Sequence, residues 1–124
     1  MYWGNKHTDF ESLKGKTLTK CYYNRNDNEI FFETEDEIFK MYHDQDCCES
    51  VYVEDICGDL DDLIGSEIIV AEKRTNDDNP LSEYDESFLW TFYEIRTMKG
   101  SVTIRWYGSS NGYYSESVDF VKVK

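Results

Sequence analysis

The sharpest chemical constellation in this sequence runs from His43 through Asp44-Gln45-Asp46 to Cys47-Cys48, with Cys57 following one strand later. Imidazole and thiolate are the usual ligands of tetrahedral zinc, so His43, Cys47, Cys48 and Cys57 make a candidate set of four donors. Asp44, Asp46 and Glu49 add oxygen donors in the same loop. The spacing is not a pair of matched Cys-x-x-Cys motifs, and adjacent cysteines reach one metal only through a distorted loop. A catalytic zinc would need an open position, a base and a cleft, so zinc here is expected to be structural. The competing reading makes the thiols small buried side chains beside a surface histidine.

Catalysis without a metal is poorly served. The chain has two histidines, His7 and His43, and neither cysteine pair partner lies in a glycine elbow or a strand–turn–helix context. Gly108 and Gly112 read as parts of a hairpin turn and not as a phosphate loop. Carboxylate neighbours such as Asp61 and Asp62 are too numerous for any pair to stand out. The expectation is a binding protein and not an enzyme.

The elements that must position these residues are mostly strands. Segments 17–23, 29–34 and 37–43 are rich in aromatic and β-branched residues and are joined by short polar turns, which predicts an antiparallel meander. Further strands are predicted over 50–56, 68–71, 87–97, 102–107 and 113–121, with Asn111-Gly112 as a turn signal. Residues 8–15 read as a short helix ended by Gly15, and 59–65 as one helical turn started by Asp59 and ended by Gly65. Residues 72–86 hold the chain's one proline, Pro80, and read as a loop. If 37–43 and 50–56 paired as a hairpin, Cys57 would stand far from the loop that carries Cys47 and Cys48. The fold class predicted is α+β: a mostly antiparallel sheet of about seven strands with one or two short helices, in a single domain spanning 1–124.

With 40% apolar and 16% aromatic residues, the chain has the material for a core, which separates it from disordered acidic tails. It carries 26 acidic and 13 basic residues, a net charge of −13. Residues 33–62 alone contain twelve acids against Lys40. That polarity disfavours direct contact with nucleic acid or an anionic membrane and favours a basic protein partner. The acids expected to face it are Glu33, Glu35, Asp36, Glu37, Asp44, Asp46, Glu49, Glu54, Asp55, Asp59, Asp61 and Asp62, with exposed members of the C-terminal aromatic set, such as Trp90 and Tyr107, as anchors. No long apolar segment suggests a leader or a membrane span, so the cysteines are expected to be reduced in a cytoplasm.

Two stretches carry a resemblance. His43-Asp44-Gln45-Asp46-Cys47-Cys48-Glu49-Ser50-Val51 leads into Cys57-Gly58-Asp59-Leu60, and Trp90-Thr91-Phe92-Tyr93 is followed by Arg105-Trp106-Tyr107-Gly108 and Asn111-Gly112-Tyr113. Over residues 8–121 this resembles a family of small phage and prophage proteins of unassigned function. In size, charge and cysteine–histidine content the chain is also similar to anti-CRISPR proteins, some of which contain metal and act on the type II RNA-guided nuclease. The family resemblance implies a phage-encoded protein in the bacterial host cytoplasm and brings no activity with it; the likeness to anti-CRISPR proteins and the acidity lead to the expectation of an inhibitor that blocks target-DNA loading. The alternative is a zinc-stabilised phage regulatory or structural protein with another partner.

Overall fold

The computed structural model describes residues 6–44, 49–77, 80–81, 86–111 and 116–124. Two antiparallel sheets pack on one core. The first has five strands in the order β1-β9-β4-β3-β2, and the second has four in the order β5-β8-β7-β6. β1 is Lys6–His7, β2 Lys20–Asn24, β3 Glu29–Glu33, β4 Ile38–Tyr42 and β5 Ser50–Cys57. β6 is Val70–Asn76, β7 Ser87–Thr97, β8 Gly100–Ser110 and β9 Asp119–Lys122.

The meander expected from β2 to β4 is present, with Cys21 opposite Phe32 and Phe32 opposite Phe39. Its first turn places Asn28 at φ 51°, a region that asparagine tolerates. The Asn28 side-chain oxygen accepts from the Val53 amide at 3.2 Å, which ties this turn to the other sheet. The β7–β8 hairpin is likewise as expected, in continuous register from Ser87–Ser110 to Thr97–Gly100.

The α+β label is corrected to an all-β fold, because the two helical segments are only 3-10 turns, Phe10–Leu13 and Leu60–Leu63. Each is too short to complete an α-helix and serves instead to seat apolar side chains in the core, Phe10 and Leu13 from one and Leu63 from the other. Asp59 does cap its turn, accepting from the Asp61 amide at 2.9 Å. The count of about seven strands is also low, since two-residue β1 carries no readable pattern. Residues 72–76 are strand where a loop was expected: β6 runs along β7 as far as Asn76 opposite Trp90. Glu72 to Asn76 are all exposed, so no alternation marks them, and main-chain pairing to one neighbour holds them at the edge.

The last strand departs most from expectation. β8 passes straight through Gly108 to Ser110, and β9 leaves for the five-stranded sheet, where it pairs with β4 and β1. A Cβ on Gly108 would lie 2.7 Å from the Glu116 carbonyl oxygen, so this glycine admits the crossing chain and does not make a turn. Within the five-stranded sheet Phe39 stacks on Phe120 with centroids 5.6 Å apart, and between the sheets the Trp106 indole N–H points to the Met41 sulfur at 3.2 Å. Trp106, Tyr93, Phe32, Met41 and Ile95 are fully buried. Each large apolar side chain so buried contributes roughly 1.5–3 kcal/mol, which is where this fold's stability resides.

Candidate functional site

His43 follows the end of β4, and Glu49 immediately precedes β5. Nε2 of His43 lies 3.0 Å from Glu49 Oε2, and Nδ1 lies 2.8 Å from the Ser117 carbonyl oxygen. A carbonyl only accepts, so Nδ1 donates to it. Nε2 then either donates to the Glu49 carboxylate as part of an imidazolium or accepts from a protonated carboxyl. In both cases the two side chains hold one proton between them. Only 4% of the His43 side chain and 1% of the Glu49 side chain are exposed. The pair joins the end of β4, the start of β5 and the approach to β9 beneath the surface.

Of the four expected zinc ligands, the described residues include only His43 and Cys57, which stand apart. Both nitrogens of His43 are already engaged, and Cys47 and Cys48 lie outside the described residues. Cys57 stands at the far end of β5, about 23 Å of extended chain from Ser50. There it is exposed and its thiol donates to Asp55 Oδ2 at 3.1 Å. β5 pairs with β8 and not with β4, yet the separation is the one a β4–β5 hairpin would have imposed. Cys21 is buried in the core, and burial, followed by the charge of Asp61, pushes its thiol up to about 12. Among the described residues no three His, Cys, Asp or Glu side chains converge as a metal site would require.

The acids fare unevenly. Glu33 accepts from the Tyr22 hydroxyl at 2.7 Å. Glu37 lies between Lys16 at 2.7 Å and Lys122 at 3.0 Å, and these ammonium groups, Lys16 first, hold its carboxyl below the ordinary range. Glu54 is gripped by Arg105 at 2.7 Å (Nη2 to Oε1) and 3.1 Å (Nε to Oε2), with Asp55 at 3.7 Å from the same guanidinium. Glu49 is buried against His43, Asp44 is exposed beyond the opposite end of β4 from Glu37, and Asp46 lies outside the described residues.

Glu35, Asp36, Asp59 and Asp61 are exposed, and among the described residues none of the four is in an ion pair. The two loops that carry them both border the segment Lys16–Thr19. Thr17 and Thr19 flank the cleft beneath Thr34–Glu37, while the Leu18 carbonyl accepts from the Gly65 amide at 2.9 Å. Asp62 sits beside them, its carbonyl accepting from the Thr97 hydroxyl at 2.6 Å. Among the described acids of this set, Glu37 and Glu54 are held by cations and Glu49 is buried, whereas Glu35, Asp36, Asp59 and Asp61 are exposed and outside any ion pair.

A second surface is an aromatic row on the outer face of the four-stranded sheet. Along β7 the residues Thr91, Tyr93, Ile95 and Thr97 turn inward and are buried, leaving Phe88, Trp90 and Phe92 outward and half-buried. The Trp90 ring meets Tyr107 edge-on at 4.6 Å and Phe92 in parallel at 6.2 Å, and the Arg105 guanidinium lies 5.5 Å from its centroid. Tyr107 is outward too, yet 2% exposed, with its hydroxyl accepting from the Leu81 amide at 3.1 Å. The sequence signal for this row is that apolar residues occupy both parities of β7, which a strand with one wet face would not show.

The architecture defines a small two-sheet antiparallel β protein with a buried histidine–glutamate clasp and exposed carboxylates on two loops. The chain belongs to the DUF7448 family, a domain of unknown function, whose model matches residues 11–120. No curated protein and no solved structure matches it. Among the described residues no helix is long and apolar enough to cross a membrane.

Proposed function

We propose that this chain is a protein-binding domain that docks a basic partner through its exposed carboxylates, and that it carries no catalytic activity of its own. The observation that carries the reading is that Glu35, Asp36, Asp59 and Asp61 stand exposed and outside any ion pair among the described residues, on two loops that both border the segment Lys16–Thr19. Carboxylates arranged this way raise association rates with a positive surface and set orientation more than they add affinity.

The specific partner we propose is a nucleic-acid-handling bacterial defence protein, the type II RNA-guided nuclease, whose target-DNA loading a phage-encoded inhibitor would block in the host cytoplasm. Two things support this: the resemblances read from the sequence, and the net charge of −13. Such a nuclease holds its heteroduplex in a positively charged channel, which an acidic surface can enter. The test is binding of the purified protein to guide-loaded nuclease, with DNA loading and cleavage as readouts. Direct binding that blocks loading and weakens as salt rises supports the reading. Failure to bind nucleases from several bacteria removes this partner.

A further inference from the structure

Tyr93 lines a cleft of about 190 Å³ formed where β1, the first 3-10 turn, β6, β7 and β9 meet. Its side chain is fully buried, and its hydroxyl has no hydrogen-bond partner in the protein, alone in this among buried side-chain polar atoms of the described residues. The core's other buried polar groups show what is usual: the Trp106 indole N–H reaches sulfur and the Thr97 hydroxyl reaches a carbonyl. A phenylalanine would make the same edge contact with Phe10, 4.7 Å between centroids, without stranding an oxygen. The hydroxyl therefore needs an explanation outside the core packing.

The rim of the cleft supplies one. Asp9, Glu11 and Asp119 contribute three carboxylates, against the single ammonium of Lys73, which reaches to 6.0 Å from the Tyr93 ring. Burial first, then the charges of Asp119 and Glu11, push the Tyr93 hydroxyl's pKa up, so it stays protonated in the cleft that these two acids also line. One oxygen of Asp119 already accepts from the Asp44 amide at 3.2 Å, leaving the other available.

We propose that this cleft receives an arginine side chain from a protein partner, the Tyr93 hydroxyl accepting one guanidinium N–H and Glu11 and Asp119 accepting others. A guanidinium suits the site better than a metal ion. It is planar, it stacks on aromatic walls such as Phe10, and it satisfies several dispersed acceptors at once. Among the described residues, no three ligating groups converge tightly enough for direct coordination. The inference deepens the reading of the chain as an acidic domain for a basic partner and rests on it.

The test uses the full-length ¹⁵N-labelled protein titrated at constant ionic strength with N-acetyl-arginine methylamide, and in parallel with spermidine and with magnesium chloride. Saturable shifts at the amides of Phe10, Glu11, Tyr93 and Asp119 are expected with the arginine compound. Tyr93→Phe and Glu11→Gln should each weaken it by about fivefold, the worth of one ordinary hydrogen bond, and Lys73→Ala should strengthen it. Tyr93→Phe should melt no lower than the parent, which separates lost recognition from lost folding. Absence of saturable shifts, binding undiminished in Tyr93→Phe, or a tighter response to spermidine or magnesium would overturn the proposal. The probe is independent of any nuclease, so nuclease binding without arginine binding defeats the cleft alone, and the reverse result defeats only that choice of partner.

Discussion

His43 and Glu49 meet at 3.0 Å with almost no access to water, and the carbonyl of Ser117 completes the contact at 2.8 Å. One imidazole thus ties the β4–β5 connection to the approach to β9, 74 residues further along the chain. The clasp stands at the boundary between the sheets, where β4 ends and β5 begins.

Removing one partner of such a pair leaves a buried polar group uncompensated. His43→Ala should cost about 3 kcal/mol, or a fall in Tm of roughly 10 °C for a chain of this size. Thermal denaturation with and without EDTA checks the origin of the loss. The expected result is a lower Tm in the variant and no effect of EDTA on the parent. One equivalent of zinc by elemental analysis, with destabilisation by EDTA, would return His43 to a metal role.

Gly108 and Gly100 both lie on β8, yet their substitution should differ. An alanine methyl at 108 meets backbone, the Glu116 carbonyl at 2.7 Å, whereas at 100 the near neighbour is the Asp62 carboxylate at 3.0 Å, which can swing aside. Gly108→Ala is expected to destabilise by about 2 kcal/mol or more, because the crossing segment must move, and Gly100→Ala by less than half of that. Urea midpoints of the two variants decide it.

Glu37 gives a pH signature. Its carboxyl is held below the ordinary range by Lys16 and Lys122, so the folded state keeps it charged to lower pH than the unfolded state does. The stabilisation is complete above the unfolded-state value of about 4.3 and is lost as pH falls through the folded value. The urea midpoint of the parent should therefore drop more between pH 7 and pH 3 than that of Glu37→Gln. High salt should narrow the gap, since these groups are partly exposed. Equal drops would show that the two ammonium groups do not act on this carboxyl.

Cys21 and Cys57 should separate in alkylation experiments. Cys21 is buried with its pKa pushed up to about 12, and Cys57 is exposed with its thiol raised mainly by the hydrogen bond to Asp55. In native protein, iodoacetamide should modify the Cys57 peptide and spare that of Cys21, while in urea both should react. Asp55→Asn should hasten modification of Cys57, because removing a negative hydrogen-bond acceptor favours the thiolate. Mass spectrometry of the two peptides gives both answers.

The exposed carboxylates predict a charge-specific defect. Replacing Glu35, Asp36, Asp59 and Asp61 together by amides should slow association with a basic partner by tenfold or more at low salt and less at high salt, with Tm changed little. Stopped-flow binding over a salt series distinguishes steering from loss of fold.

Local pattern and turn chemistry sufficed for the strands from Lys20 to Tyr42, for the β7–β8 hairpin and for the Asp59 cap, because each depends on neighbours close in sequence. The α+β label came from capping signals at Asp9, Gly15, Asp59 and Gly65. The Asp59 cap and the positive φ of Gly15 and Gly65 are present, Asp9 makes no side-chain cap hydrogen bond, and the segments they bound are single turns whose 3-10 form was set only by packing against the sheets. Composition alone established the acidity, but it could not show that Glu37 and Glu54 are gripped by cations, that Glu49 is buried, or that the loops carrying Glu35, Asp36, Asp59 and Asp61 both border Lys16–Thr19. Such neighbourhoods depend on which strands pair. β9 crosses to the first sheet, β5 joins the second, and Asp119 is thereby brought to the cleft that Tyr93 lines. Long-range pairing is decided by burial of the whole core, a sum over both sheets that no window of sequence contains.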